Sequence, residues 1–298
     1  MERSSSGVRI VQQADGFDVS EDGQGVLFYR TVPLPAVDGH ARPHYIHPLF
    51  GVDGEVLTEE SPPDHRHQFG IYWAWHQVWA GNKRIGDAWI QDDFGWDVRS
   101  VATRSPEGGS AVLGGEALWN SPLWTDDSGT RLPIVKETFE IKVYPAGKDF
   151  RRIDFHVELL ALEEGVRIGG SEDDKGYGGF SVRTRLPEGI RFTGRDGEIE
   201  PTRPPVDAGP WVDWSGPFGE KGEVSGIAVL CHPTTAGYPQ PWILRRSGSM
   251  QNPVYPGPDS VPVSSEEATF LRYSLIVHRG DAEAVDLEGI NAEYSAEA

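Results

Sequence analysis

Residues 134–162 read IVKETFEIKVYPAGKDFRRIDFHVELLAL, and this stretch decides the fold class. Apolar and polar side chains alternate along Ile134–Tyr144 and again along Arg151–Leu162, with the turn-forming segment Pro145–Asp149 between them. A period of two places successive side chains on opposite faces of a strand, one buried and one solvated. The stretch therefore predicts two antiparallel strands joined by a short loop.

The rest of the chain has the same strand-and-turn character. Glycine occurs 36 times and proline 23 times among 298 residues, a content that favours turns over long helices. The dipeptide Asp53-Gly54 predicts another hairpin, between Tyr45–Phe50 and Glu55–Thr58. Further predicted strands are Gly179–Leu186, Gly226–His232 and Phe270–His278.

We therefore predict an all-β fold. It is one large antiparallel β-sandwich of two curved sheets with few short helices, and it spans residues 1–298 as a single domain. Residues 282–298, rich in Ala and Glu, are either helical or a frayed end. The alternative of two domains would place the break near residues 105–115, where Ser105-Pro-Glu-Gly-Gly interrupts the pattern.

Charge narrows the range of partners. The formal net charge is −19 and the isoelectric point is about 4.8. This charge repels a phosphate backbone and an anionic bilayer, so we expect neither nucleic acid nor membrane as a partner. A strongly anionic substrate is disfavoured for the same reason, unless a local basic pocket overrides the overall charge.

The chain has the features of a cytoplasmic protein. Cys231 is the only cysteine, which excludes an intrachain disulfide bond and fits a small buried side chain. The segment Met1–Gln13 lacks the apolar core of a signal peptide. No stretch approaches the roughly 20 apolar residues of a membrane span.

The densest group of candidate site residues lies in Pro62–Gly70, which reads PPDHRHQFG, and in His76. If this segment is a strand, His65 and His67 share a face with Cα atoms roughly 6.5–7 Å apart, and a bulge at Gly70 would bring in His76. Imidazoles in this arrangement either transfer protons or bind one divalent metal ion through His65 and His67. The alternative is a solvated loop.

Glu137 is the second candidate, because the alternation places it on the apolar face of its strand. A buried carboxylate is either paired or has a raised pKa, and a raised pKa suits a general acid or base. Otherwise it lies at the sheet edge and reaches water. His232 ends a strand, where it either lines a cleft or caps a turn.

Two further segments have the residue types that bind sugars. In Asp173–Phe180 the glycines allow a close approach of the backbone to a ligand, and Lys175 and Tyr177 would bind hydroxyls or a carbonyl oxygen. In Trp211–Gly216, Asp213 lies between two indoles. The alternatives are a surface hairpin loop and a packed loop, respectively.

The ordered motifs resemble the PmoA-like family of unknown function, over roughly residues 44–280. The segments that carry the resemblance are His47-Pro48-Leu49, Pro62-Pro63-Asp64-His65-Arg66-His67, Trp73-Ala-Trp75-His76-Gln77, Gly86-Asp87-Ala-Trp89, Lys175-Gly-Tyr-Gly-Gly179, Trp211-Val-Asp213-Trp214-Ser-Gly216, His232-Pro233, Pro241-Trp242 and Leu271-Arg-Tyr-Ser-Leu275. The family in turn resembles the large galactose-mutarotase-type β-sandwiches that act on or bind carbohydrates. Family members commonly carry another His where this chain has Arg66 or Gln68, a departure that weakens a three-His metal site.

The resemblance implies a small-molecule carbohydrate as the ligand. Under the first hypothesis the protein is an enzyme that performs hydrolysis, β-elimination from a keto sugar, or epimerisation. The candidate acid–base residues are His65, His67, His76, Glu137 and His232. The candidate substrate-binding residues are Asp64, Trp75, Asp87, Trp89, Lys175, Tyr177, Trp211 and Asp213. The alternatives are a non-catalytic carbohydrate-binding protein and a metal-dependent oxygenase of the cupin type.

Overall fold

Short antiparallel strands dominate the structure, a computed structural model that describes residues 7–297. The strands are β1 (Arg9–Gln12), β2 (Gly16–Glu21), β3 (Gln24–Arg30), β4 (Tyr45–Leu49), β5 (Ile71–Trp75), β6 (Gln77–Ala80), β7 (Lys83–Gly86), β8 (Gly95–Arg104), β9 (Ala111–Asn120), β10 (Val135–Val143), β11 (Phe150–Ala161), β12 (Arg167–Gly169), β13 (Gly178–Val182), β14 (Arg191–Gly194), β15 (Gly197–Glu198), β16 (Trp211–Gly216), β17 (Ser225–Cys231), β18 (Trp242–Ile243), β19 (Asn252–Pro253), β20 (Val261–Pro262) and β21 (Thr269–Arg279). Two 3₁₀ turns, Glu107–Gly109 and Ala282–Ala284, and one helix, α1 (Leu287–Ser295), complete the regular structure. No helix within residues 7–297 is long and apolar enough to cross a membrane.

Two large sheets pack face to face. One has six strands in the order β1-β2-β3-β4-β5-β13, and the other has nine in the order β15-β14-β16-β17-β21-β11-β10-β9-β8. Phe180 of the first sheet meets Phe155 and Tyr273 of the second, at ring-centroid distances of 5.1 and 4.5 Å. Smaller sheets (β20-β12-β6-β7 and β18-β19) flank them. The predicted all-β antiparallel sandwich is confirmed.

The hairpin predicted from residues 134–162 lies near the middle of the larger sheet. β10 and β11 pair from Val135 opposite Ala161 to Val143 opposite Ile153. Fully buried and partly exposed residues alternate along both strands, as the sequence pattern requires. Every second side chain of the pair therefore faces the other sheet, and Glu137 is one of these.

The structure also bears on the predicted second hairpin, the stretch near 105–115 and the tail. The segment after Asp53-Gly54 forms only isolated bridges, such as Phe50 with Val56, instead of a strand. The stretch near 105–115 is not a break between sheets, because β8 and β9 pair directly across it, with Arg104 opposite Val112. Within the predicted tail, Leu287–Ser295 forms a helix.

Helix α1 is fixed at its start by a capping aspartate and then packs on the larger sheet. Asp286 accepts a hydrogen bond from the backbone N–H of Gly289 at 2.9 Å, which satisfies a free donor in the first turn. Leu287 and Tyr294 of the helix join Trp211 and Leu230 of the sheet in a small apolar cluster. The helix therefore covers the far side of β16 and β17.

Glu137 connects the two sheets from inside the core, where its side chain is fully buried. Its Oε1 accepts from Trp73 Nε1 of the other sheet at 2.7 Å and lies 2.5 Å from His44 Nε2. Its Oε2 accepts from Trp119 Nε1 at 2.8 Å. The position on the apolar face is thus confirmed, and the sheet-edge alternative is wrong.

The network continues beyond Glu137 to a tyrosine. His44 Nδ1 lies 2.6 Å from the hydroxyl of Tyr29. Burial, with the charge of Glu137, raises the pKa of Tyr29 well above its usual value, so the phenol keeps its proton. The carboxylate thus satisfies the two indole N–H groups and one ring nitrogen of His44, while Tyr29 satisfies the other ring nitrogen.

We expect Glu137→Gln to lower the free energy of unfolding by about 3 kcal/mol, because the amide turns one acceptor into a donor that faces another N–H donor. The matched control is Glu140→Gln on the same strand. Glu140 is partly exposed and pairs with Arg104 at the surface, where loss of the pair costs less than about 1 kcal/mol. Urea unfolding of both variants measures the difference. Equal losses would contradict the bridging role of Glu137.

Candidate functional site

A cleft of about 570 Å³ opens where the Pro62–Gly70 turn meets the loops at residues 175–177, 201–203 and 244–246. Its lining residues are His65, Lys175, Tyr177, Pro201, Thr202, Arg203, Leu244, Arg245 and Arg246. Three of the candidate site residues, His65, Lys175 and Tyr177, are among them. The cleft therefore brings together three of the thirteen candidate site residues.

The segment Pro62–Gly70 is a turn and not a strand, so this prediction was wrong. Pro62 and Pro63 have no N–H to contribute to a strand ladder. Turn hydrogen bonds replace the ladder, from His65 N to the Pro62 carbonyl and from Gln68 N to the His65 carbonyl. The rings of His65 and His67 still lie close together, with centroids 5.5 Å apart.

Gly70 has a different role from the predicted bulge. Its φ is +47°, and a Cβ atom would lie 1.9 Å from the carbonyl oxygen of Ile46. Only glycine allows this close approach of the turn to β4. His76 lies on the connection between β5 and β6, outside the cleft lining.

Arg183 anchors the turn, and sequence reasoning missed it. Its buried guanidinium donates to both carboxylate oxygens of Asp64, at 3.0 and 2.9 Å, to Glu59 at 2.9 Å and to Gln68 at 2.9 Å. A buried arginine requires such partners, and here they all come from the segment around the turn. The composition of the turn did hint at a cation, since Asp64 and Glu59 needed a partner.

Asp64 and His65 form a pair at the edge of the cleft. His65 Nδ1 lies 3.1 Å from Asp64 Oδ2, which leaves Nε2 to exchange a proton. Burial raises the pKa of Asp64, but hydrogen bonds from His65 and Arg183 outweigh burial and hold that pKa below its usual value. Asp64 therefore stays charged and orients His65.

Asp87 and His76 form a second pair of the same kind. His76 Nδ1 lies 2.8 Å from Asp87 Oδ2, and the other oxygen of Asp87 accepts from the backbone N–H groups of Trp89 and Ile90. The ring of His76 stacks on Trp89 with centroids 5.3 Å apart. Trp89 in turn lies 5.7 Å from Tyr177, a residue of the cleft wall.

His67 lies behind His65 and near His40, a residue that sequence reasoning missed. The rings of His40 and His67 are 5.7 Å apart. Burial, and then the charges of His65, His40 and Arg42, lower the pKa of His67 to about 4. His67 is therefore neutral at pH 7.

The described residues do not support the metal site proposed for His65 and His67. Across residues 7–297, no three His, Cys, Asp or Glu side chains are arranged to hold a metal ion. The carboxylates of Asp64 and Asp87, which lie next to His65 and His76, are occupied by Arg183 and His76. The hypothesis of a metal-dependent oxygenase therefore has no ligand set within the part of the chain that the structure describes.

The glycines of the Lys175 loop pack against protein and not against an open ligand space. A Cβ atom at Gly176 would lie 2.9 Å from Gly257 Cα, and one at Gly178 would lie 3.0 Å from the Tyr255 carbonyl oxygen. This packing holds the loop at the cleft. Lys175 forms an ion pair with Asp173.

The candidate tryptophans do not offer stacking faces to a sugar. Trp75 and Trp89 are almost fully buried, and Trp75 donates to the Tyr255 carbonyl at 2.9 Å. Trp211 packs against α1 and donates to Glu288 at 2.9 Å. Indoles make up much of the core of this protein, so their sequence pattern was misread as a binding surface.

Asp213, Glu137 and His232 also lie away from the cleft lining. Asp213 is fully buried and pairs with His278 Nε2 at 2.7 Å. His232 contacts Thr234 at 2.7 Å and the Glu297 carbonyl at 3.0 Å, beside the end of α1. The turn-capping alternative therefore describes His232, and Glu137 has its role in the core.

Comparison with known proteins identifies a family whose function is unknown. Residues 16–292 match the model of a family of unknown function, DUF6807. The chain belongs to this family. The name PmoA-like remains a resemblance of motifs. No curated protein matches the sequence significantly.

Two solved structures are similar to this one at low identity. The first is a protein from Salmonella typhimurium (YeaD) proposed to be a mutarotase, with 11% identity, a TM-score of 0.38, and coverage of 94% of this chain and 96% of that one. The second is a GH36 α-galactosidase (AgaA) from Geobacillus stearothermophilus in complex with stachyose, with 11% identity and a TM-score of 0.35. This chain is covered to 93% but matches only 41% of the α-galactosidase.

The depressed pKa of His67 predicts a specific pH dependence of stability. The folded state binds the proton at about pH 4 and the unfolded chain at about 6.5, so wild-type stability is lost as the pH falls from 6.5 towards 4. We expect the advantage of wild type over His67→Gln to shrink by about 1–2 kcal/mol between pH 7 and pH 5. Urea unfolding at both pH values tests this. A difference independent of pH would show that His67 is not held neutral.

Proposed function

We propose that this protein is a carbohydrate-active enzyme that binds its substrate in the cleft and exchanges protons with it through His65. The observation that carries the proposal is His65, which lines the cleft together with Lys175 and Tyr177 and is paired with Asp64 outside the lining. An imidazole oriented by a carboxylate is a standard general base or acid. His76, oriented by Asp87, is the second candidate proton-transfer group.

The residues that line the cleft favour proton abstraction beside a carbonyl over glycoside hydrolysis. Most glycoside hydrolases use two carboxyl groups on either side of the scissile bond, but no Asp or Glu of the described chain lines this cleft. Proton abstraction from a carbon beside a carbonyl instead needs a base and a donor to the carbonyl oxygen. We therefore favour β-elimination from a keto sugar, or epimerisation, over ordinary hydrolysis.

Tyr177 and Lys175 supply the donors that such a reaction needs. The hydroxyl of Tyr177 accepts a hydrogen bond from Arg245 Nη2 at 3.2 Å, which leaves its own proton free to donate to a substrate oxygen. The ammonium group of Lys175 lies 5.4 Å from the centre of the Tyr177 ring. Both donors thus come from one short loop of the cleft wall.

We expect His65→Gln to lower kcat on a keto-glycoside by about 10²–10⁴-fold, the usual contribution of a general acid or base. The matched control is His156→Gln, because His156 lies on the outer, polar face of β11 beside Glu158, and its loss should leave kcat unchanged. Steady-state kinetics on matched keto- and plain glycosides measure both effects.

Three outcomes would count against the proposal. Unchanged turnover by His65→Gln would remove the proton-transfer role of His65. Equal turnover of keto- and plain glycosides would contradict the preference for abstraction beside a carbonyl. Sugar binding without turnover of any substrate by the wild-type protein would make it a carbohydrate-binding protein instead.

A further inference from the structure

The cleft is lined by cations, although the chain as a whole is strongly acidic. Lys175, Arg203, Arg245 and Arg246 all line it, while no carboxylate of the described residues does. The whole chain carries a formal charge of −19. A cleft lined by one sign of charge between low-dielectric walls focuses its field on the ligand, whatever the overall charge of the protein.

Three of these cations have a carboxylate partner outside the cleft lining. Lys175 pairs with Asp173 and Arg203 with Asp174 at 3.3 Å. Arg246 likewise pairs with Glu200 at 2.8 Å. These pairs weaken the positive potential in the cleft. Whether the potential stays positive therefore depends on the fourth cation, Arg245.

Arg245 has no such partner among residues 7–297. Its side chain donates to the carbonyl oxygens of Thr202, Leu244 and Arg203 and to the hydroxyl of Tyr177, all neutral groups. The guanidinium is partly buried and fixed in place by these bonds. Its positive charge therefore has a fixed position and, within the described chain, no carboxylate to neutralise it. Such an arginine attracts an anionic group of a ligand.

We propose that the substrate carries an anionic group, a carboxylate or a phosphate, and that this group binds against Tyr177, Lys175 and Arg245. The inference rests on the proposed function, because it takes the ligand to be a carbohydrate, and it narrows the substrate class to acidic sugars. The hydrogens on both Nη atoms of Arg245 are occupied by its four acceptors. Tyr177 and Lys175 therefore make the direct hydrogen bonds, and Arg245 contributes charge.

Isothermal titration of the full-length protein with matched sugars tests the inference. The pairs are glucuronate against glucose, galacturonate against galactose, and glucose 6-phosphate against glucose. We expect at least one acidic member to bind 10-fold or more tightly than its neutral partner in 50 mM salt. The gap should narrow in 500 mM salt, where exposed charges are screened. The carboxylate and phosphate arms show which anion the cleft takes.

Variants locate the anion. Arg245→Met keeps the aliphatic stem and should weaken the acidic sugar about 10-fold while leaving the neutral one unchanged. Lys175→Gln is the second variant, because Arg245 also fixes its own loop. The matched control is Arg131→Met, an exposed arginine without an ion pair in the described chain that hydrogen-bonds Asn120 outside the cleft, and it should bind like wild type.

The two levels of the proposal fail in different ways. If acidic and neutral sugars bind equally, the anion subsite is wrong and the carbohydrate function stands. If no sugar of either kind binds, both are wrong. Acidic-sugar binding that neither Arg245→Met nor Lys175→Gln weakens would also overturn the subsite.

Discussion

The buried carboxylate of Glu137 is the constraint on which the rest of the structure depends. An ionisable group in the core must be hydrogen-bonded, and Glu137 obtains its partners from both sides of the core. They are Trp119 of its own sheet, Trp73 of the other sheet, and His44, which precedes β4. Trp73 is the central residue of β5. Fixing that strand fixes what lies at its two ends, the Pro62–Gly70 turn and His76.

Ion pairs and charged hydrogen bonds position the candidate site residues on this scaffold. Arg183 follows β13, which pairs with β5 at the edge of the sheet. It donates hydrogen bonds to both carboxylate oxygens of Asp64, and these bonds hold the turn against that edge. Asp64 then orients His65, as Asp87 orients His76. The result is a pair of directed imidazoles beside a cationic cleft, a combination that suits stabilisation of negative charge during proton abstraction.

Sequence patterns predicted what depends on local periodicity. The alternation in residues 134–162 gave the hairpin and the inward direction of Glu137, because a period of two leaves no choice of face. Prolines overrode the expected strand at Pro62–Gly70. The prediction that tryptophans bind the sugar was wrong, because an indole that fills a core and one that binds sugar look alike in sequence. His40, Arg183 and Arg245 were missed, since only the fold brings them from distant segments.

The central claim is that a sugar binds in the cleft beside His65 and is acted on there. A crystal structure of the His65→Gln variant soaked with a keto-glycoside tests it most directly, because the variant should bind the sugar without consuming it. The account predicts the sugar within hydrogen-bonding distance of residue 65 and Tyr177. A sugar found elsewhere, for example in the separate cavity lined by Asp53 and Glu220, would contradict it.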